Sequence, residues 1–134
     1  MIEHPNSLLI HQCLQAVTDG DTDTLRALWD ENIVFHVAGA SPWHGEIKGV
    51  EAVFEYLAVV GEAGSSVDTS IGDVMVSNHR ASLICHIKAQ AGSRTLDTEY
   101  VLIARIGRRR IQEIWSIPLE PERVAAFWEA EARA

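Results

Sequence analysis

Positive charge, cysteine and unbroken apolar sequence are all in short supply in this chain. Eleven lysines and arginines stand against 19 acidic residues, a formal charge of -8. Such a surface repels phosphate backbones and argues against nucleic acid or an anionic membrane as partner. The single basic cluster, Arg108-Arg109-Arg110, lies between two strand-like runs and reads as a solvated hairpin tip. No apolar run approaches the roughly 20 residues that cross a bilayer. The opening Met1-Ile2-Glu3-His4-Pro5-Asn6 has no signal-peptide pattern, so a cytoplasmic setting is expected. Cys13 and Cys85 make neither a CxxC pair nor a disulfide framework, and their places on a helix stripe and mid-strand suit buried, inert thiols. His36, His44, His79 and His86 lack HxH, HExxH or facial-triad spacing, so no metal is expected. A Gly-rich phosphate loop and a GxSxG elbow are also missing, which removes nucleotide binding and serine hydrolysis.

What is present is an ordinary globular composition, 47% hydrophobic and 22% charged over 134 residues. That length suits one domain over 1–134 with a core of its own. Asn6 or Ser7 can cap a first helix, whose stripe runs through Leu9, Cys13 and Ala16 and stops at Gly20. Asp21 and Asp23 start a short second helix with Leu25, Leu28 and Trp29. Ile33 to Val37 reads as a strand and Gly39 to Gly49 as a loop broken by Pro42 and three glycines. Val50, Val53, Phe54 and Leu57 mark a third helix. The period then falls to two, with strands near 67–77, 80–90, 95–106 and 111–117 separated by short turns, as in an antiparallel meander. Glu120-Pro121-Glu122 opens a C-terminal helix with Val124, Phe127 and Trp128.

Several phrases stand in a particular order along this layout: Asp19-Gly20-Asp21, Leu25-x-x-Leu28-Trp29, Gly45-x-x-x-Gly49 before a helix, Glu113-Ile114-Trp115 after the hairpin, and a terminal Phe127-Trp128. In these the chain resembles the nuclear-transport-factor-two-like superfamily, in its SnoaL-like and ketosteroid-isomerase-like branch. The resemblance implies a cone-shaped α+β barrel: a strongly curved mixed or antiparallel sheet around three N-terminal helices, plus a C-terminal helix. It also implies a small-molecule pocket in the cone and a homodimer formed through the outer sheet face. Ketosteroid isomerase works with a carboxylate base and with a tyrosine and a neutral carboxylic acid as donors to an oxyanion. Those positions fall here on His36, on Cys13 and at or near Val101. None of the three residues is retained, so steroid isomerisation by that route is not expected.

Taking 91–94 as a turn pairs His86 with Glu99 and Lys88 with Asp97. Extending that register to the next hairpin sets Val101 opposite Ser116 and Ile103 opposite Ile114. His86, Glu99, Val101, Ile114 and Ser116 would then share one face, apolar in the middle and polar at one end, as a pocket wall is. Leu83, Cys85, Ile87, Leu102 and Tyr100 would share the other, with Glu113 and Trp115 turned away from the pocket. The SnoaL-like resemblance implies a histidine and an acid on these strands, and His86 with Glu99 match. His36, His86 and Glu99 are therefore the candidate catalytic residues. Cys13, Trp43, Tyr56, Val101, Ile114 and Ser116 are the candidate substrate-binding residues. Phe35 and Val37 belong to the core, and His36 with the following loop should edge the cavity.

Two functions remain open at this point. One is a cofactor-independent isomerase, cyclase or hydratase, acting by general acid–base catalysis on a hydrophobic cyclic or polyketide-like molecule. The other is a non-catalytic ligand-binding or dimerisation module in the same cone.

Overall fold

The computed structural model describes residues 4–38, 45–63 and 66–132, with side chains described outside 61–67 and 129–132. Among the described residues four helices and six strands follow in the order α1 (Pro5–Asp19), α2 (Thr22–Leu28), β1 (Trp29–Val37), β2 (Gly45–Lys48), α3 (Val50–Ala63), β3 (Ser66–Val76), β4 (Arg80–Ala91), β5 (Arg94–Gly107), β6 (Arg110–Pro118) and α4 (Pro121–Ala132). The start of α1 is set by His4, whose imidazole accepts from the Asn6 N–H at 3.0 Å, and by Pro5 in the first turn, where a missing N–H costs nothing. Its end is set by Gly20, at φ 68°, whose left-handed backbone returns N–H groups to the last carbonyls. Asp21 then caps α2 by accepting from the Thr24 N–H at 3.1 Å.

The strands form one curved mixed sheet, ordered β2-β1-β6-β5-β4-β3. β1 runs parallel to β6 and every other pair is antiparallel. The stretch expected as loop from Gly39 to Gly49 thus contains an edge strand. Gly45-Glu46-Ile47-Lys48 has one apolar residue and no alternation to announce it. Its strand form comes from backbone pairing with Val34–Val37. Residues 39–44 lie outside the described residues.

The β4–β5 register follows the expected pairing, with His86 opposite Glu99 and Lys88 opposite Asp97. The β5–β6 register does not hold along its length. Next to the turn, Gly107 faces Arg110 and Ile106 faces Ile111, but Arg105 faces Glu113. Gln112 is the extra residue of a β-bulge, and beyond it each partner has moved by one. Leu102 therefore faces Ser116 and Ala104 faces Ile114, while Val101 faces Ile117. Because side chains alternate with period two, this single residue exchanges which β5 face continues into which β6 face. The turn itself has two residues, Arg108 and Arg109, both at positive φ, and carries no Asn-Gly signature to mark it.

Packing follows from these faces. A main core of Ile10, Trp29, Ile33, Val53, Leu83 and Ile111 joins α1, α2, α3 and the sheet, with Trp29 stacked on Phe54 at 5.7 Å. A second cluster, Leu96, Val124, Phe127 and Trp128 among it, lies under α4. Arg94 fastens that helix by donating to the Phe127 carbonyl at 2.9 Å with its guanidinium over the Phe127 ring. Tyr100 packs against both clusters.

Candidate functional site

Between the two clusters lies a cavity of about 450 Å³. α1 contributes Cys13 and Val17 to its wall, β1 Phe35 and Val37, and α3 Tyr56 and Leu57. β4 and β5 add Leu83, Cys85, Ile87, Tyr100 and Leu102, β6 adds Ile114 and Ser116, and α4 closes one side with Val124 and Trp128. The hollow exists because small side chains stand where a packed core would carry large ones: Cys13, Cys85, Ala104, Thr69 and Ser116 leave space that the flanking aromatics do not fill.

No Asp, Glu, His, Lys or Arg lines it among the described residues. Its polar groups are thiols, hydroxyls, phenols and indoles, and burial keeps the titratable ones in their neutral forms. The Cys13 thiol is pushed up to about 11 by desolvation, partly offset by the Trp29 indole N–H, which donates to Sγ at 3.2 Å. Cys85 is likewise pushed up to about 11, chiefly by desolvation. Desolvation raises Tyr56 to about 12. It raises Tyr100 further, with the neighbouring Tyr56 adding to the effect and a hydrogen bond from Trp128 opposing it. Neither thiol is activated at neutral pH, which agrees with their reading as inert.

Four of the expected site residues line this cavity: Cys13, Tyr56, Ile114 and Ser116. Four others point the opposite way. His36 stands on the outer face of β1, where its Nε2 meets the Glu113 carboxylate at 2.5 Å and its ring stacks on Trp115 at 5.1 Å. The other Glu113 oxygen accepts from Arg105 Nε at 3.1 Å. The imidazole first, and the guanidinium second, hold Glu113 below the usual carboxylate range. His36 is placed here because Phe35 and Val37, its neighbours in alternation, are the residues that turn inward. His86, Glu99 and Val101 share that outer face. His86 stands against the Asp97 carboxylate, Glu99 is exposed, and Val101 lies between Ile84 and Ile117. The cause is the Gln112 bulge: Ile114 and Ser116 do face the cavity, but their β5 companions are Leu102 and Ala104 rather than Val101 and Ile103. Trp43 lies outside the described residues.

Tyr100, Trp128, Leu83 and Leu102 are cavity residues that the sequence reading left out. A signal for three of them was available. Of the two β4–β5 faces, the one with Leu83, Cys85, Ile87, Tyr100 and Leu102 is far more apolar than the one with His86, Lys88, Asp97 and Glu99. Ordinary apolar-in, polar-out alternation selects it.

The profile of the SnoaL-like domain matches residues 10–114, the stretch from α1 to the middle of β6. The chain belongs to the SnoaL-like domain family. No curated protein matches the sequence. Among solved structures, Bal32a, from a soil-derived mobile gene cassette, is 25% identical with a TM-score of 0.87, over 92% of this chain and 96% of that one. IdmH from Streptomyces antibioticus, a suggested polyketide cyclase, is 17% identical with a TM-score of 0.74, over 98% of this chain and all of that one. TerC, co-crystallised with polyporic acid, is 14% identical with a TM-score of 0.81, over 96% and 99% of the two chains. The last two likenesses concern the fold alone.

Proposed function

We propose that this SnoaL-like chain binds an uncharged, hydrophobic, ring-bearing small molecule in the cavity between α1, α3, α4 and the sheet. The observation that carries this reading is a roomy hollow whose described wall holds no ionised group. Its volume falls within the range of small-molecule sites, and burying an unpaired charge against such a wall would cost far more than the contacts return. IdmH, a suggested polyketide cyclase of the same fold, agrees with a ring-bearing guest.

Acid–base catalysis by His36, His86 and Glu99 draws no support from their placement, since all three lie across the sheet from the cavity. The geometry favours binding. The test is a titration with fluorene, a rigid uncharged hydrocarbon, followed by fluorescence. Saturable binding is expected, and Ser116→Trp, which fills the hollow from β6, should weaken it at least about tenfold while leaving cooperative unfolding intact. Binding that is unaltered by the inserted indole refutes the reading.

We also propose that the outer sheet face joins two copies of the chain. Ile84, Val101 and Ile117 form an apolar row across β4, β5 and β6, each only half-buried. On one side of the row Lys88 stands with Asp97 and Glu99, and on the other Arg80 and Arg105 stand with Glu113. A two-fold rotation therefore brings an acidic flank onto a basic one, as a self-complementary interface requires. Sedimentation equilibrium should give a dimer for the native chain and a monomer for Val101→Glu. A native monomer at the highest accessible concentration contradicts the assignment.

A further inference from the structure

The central cavity has a neighbour on the surface. A groove of about 760 Å³ runs over α1, between α2 and β3. Leu14, Thr18 and Thr69 line both the cavity and the groove. The strand register shows why the two are continuous. Thr69 stands opposite Ile87 and Ile71 opposite Cys85, so the β3 side of the groove extends the row of β4 side chains that walls the cavity. β3 is the last strand of the sheet, and Thr18, near the end of α1, is exposed. The hollow therefore reaches solvent along the seam between α1 and β3. The chemistry changes across that seam. The cavity side is apolar, whereas the groove is lined by Gln12, Gln15, Asp19, Asp21 and Thr24, with no Lys or Arg among the described residues. Asp21 is engaged as the cap of α2. Gln15 donates to Asp19 Oδ2 at 3.0 Å, which leaves the Gln15 carbonyl oxygen and the second Asp19 oxygen open to a guest. The Gln12 amide and the Thr18 and Thr69 hydroxyls make no hydrogen bond among the described residues.

We infer that this groove is an outer subsite for a neutral, hydroxyl-rich group, a sugar or other polyol, carried on the guest whose ring occupies the cavity. The inference rests on the reading of the cavity as a ligand site and adds to it a second site on the surface of α1. Amides supply both a donor and acceptors, a carboxylate supplies acceptors, and a hydroxyl does either, which together suit the donors and acceptors of adjacent hydroxyls. With no cation on its wall the groove has nothing to hold a phosphate or carboxylate. A hydroxylated group drawn into the apolar cavity would lose its water without replacement, so an amphiphilic guest can lie only one way round. The seam at Leu14, Thr18 and Thr69 is where its two halves join.

The experiment compares 2-naphthyl β-D-glucopyranoside with 2-methoxynaphthalene, the same aryl ether with and without the sugar, by naphthyl fluorescence. The chains titrated are the native one, Gln12→Ala, Gln15→Ala, Asp19→Ala and, as a control on α3 away from the groove, Glu55→Ala. The native chain should prefer the glucoside by roughly tenfold, and each groove substitution should lower that preference by roughly three- to tenfold. The affinity for 2-methoxynaphthalene should stay unchanged in all of them, which also shows that the variants are folded. Glu55→Ala should keep the preference. In NMR, intermolecular NOEs should join the glucose protons to the Thr18 and Thr69 methyls and the naphthyl protons to Leu83 and Ile87. If 2-methoxynaphthalene binds and the glucoside binds no better, or if its preference survives all three groove substitutions, the subsite is refuted while the cavity reading stands. If neither compound binds, the reading of the cavity as a ligand site falls, and the subsite with it.

Discussion

Val101 and Leu102 are neighbours on β5, with similar side chains and the same strand around them. Leu102 looks into a hollow with no described ionised group on its wall, while Val101 looks onto a row flanked by His86, Glu99, Arg105 and Glu113. Comparing the two faces shows how a sheet separates its chemistry. Ionisable side chains pair with one another where water is near, as in the His36–Glu113–Arg105 network. Among the described residues the inner face carries only neutral polar groups. The histidines are partners of the surface network and the phenols belong to the cavity.

The largest effect that can break this comparison is a carboxylate placed on each face in turn. Leu83→Asp puts a charge at a fully buried position and should cost about 3–5 kcal/mol, whereas Ser82→Asp, one residue away on the outer side, should cost under about 1 kcal/mol. Urea denaturation measures both, and equal costs would mean that the faces are wrongly assigned. A smaller contrast comes from polar atoms. Cys85→Ser buries a hydroxyl that must find a partner and should lose about 1–2 kcal/mol, while Ser82→Cys on the outer side should stay within about 0.5 kcal/mol.

The smallest effect is a matter of pH. Glu113 has its carboxyl held below the ordinary range by His36 and Arg105. It therefore binds its proton less readily folded than unfolded. The stability it contributes is complete above the unfolded carboxyl value, about pH 4, and is lost as the pH falls through the lower folded value. Glu113→Gln should flatten the acid limb of a stability-against-pH curve and leave fluorene affinity unchanged at pH 7. A matching loss of affinity would tie the outer network to the site.

Much of this was legible in the residues. The helices showed through their 3.6-residue stripes and caps, and the meander through its period of two and its turns. The β4–β5 register followed from the turn at 91–94. Three things were not legible, each for a stated reason. β2 has no pattern and exists because β1 offers it an edge. The Gln112 bulge is a tertiary accommodation with no composition of its own, and by shifting the partners beyond it by one residue it sent His86, Glu99 and Val101 outward and Leu102 inward. The contact between Trp128 and Tyr100 depends on how α4 docks, which nothing local to either residue encodes. The His36 position, by contrast, was decided by alternation: with Phe35 and Val37 turned in, the residue between them turns out.

The account stands on which side of the sheet receives the guest. Methyl-labelled chain titrated with fluorene and followed by ¹³C-methyl NMR reads that directly. Shifts centred on Val37, Leu83, Ile87, Leu102 and Ile114, with Ile84, Val101 and Ile117 unmoved, are the result expected. Shifts centred on Ile84, Val101 and Ile117, with the inner methyls silent, would contradict it.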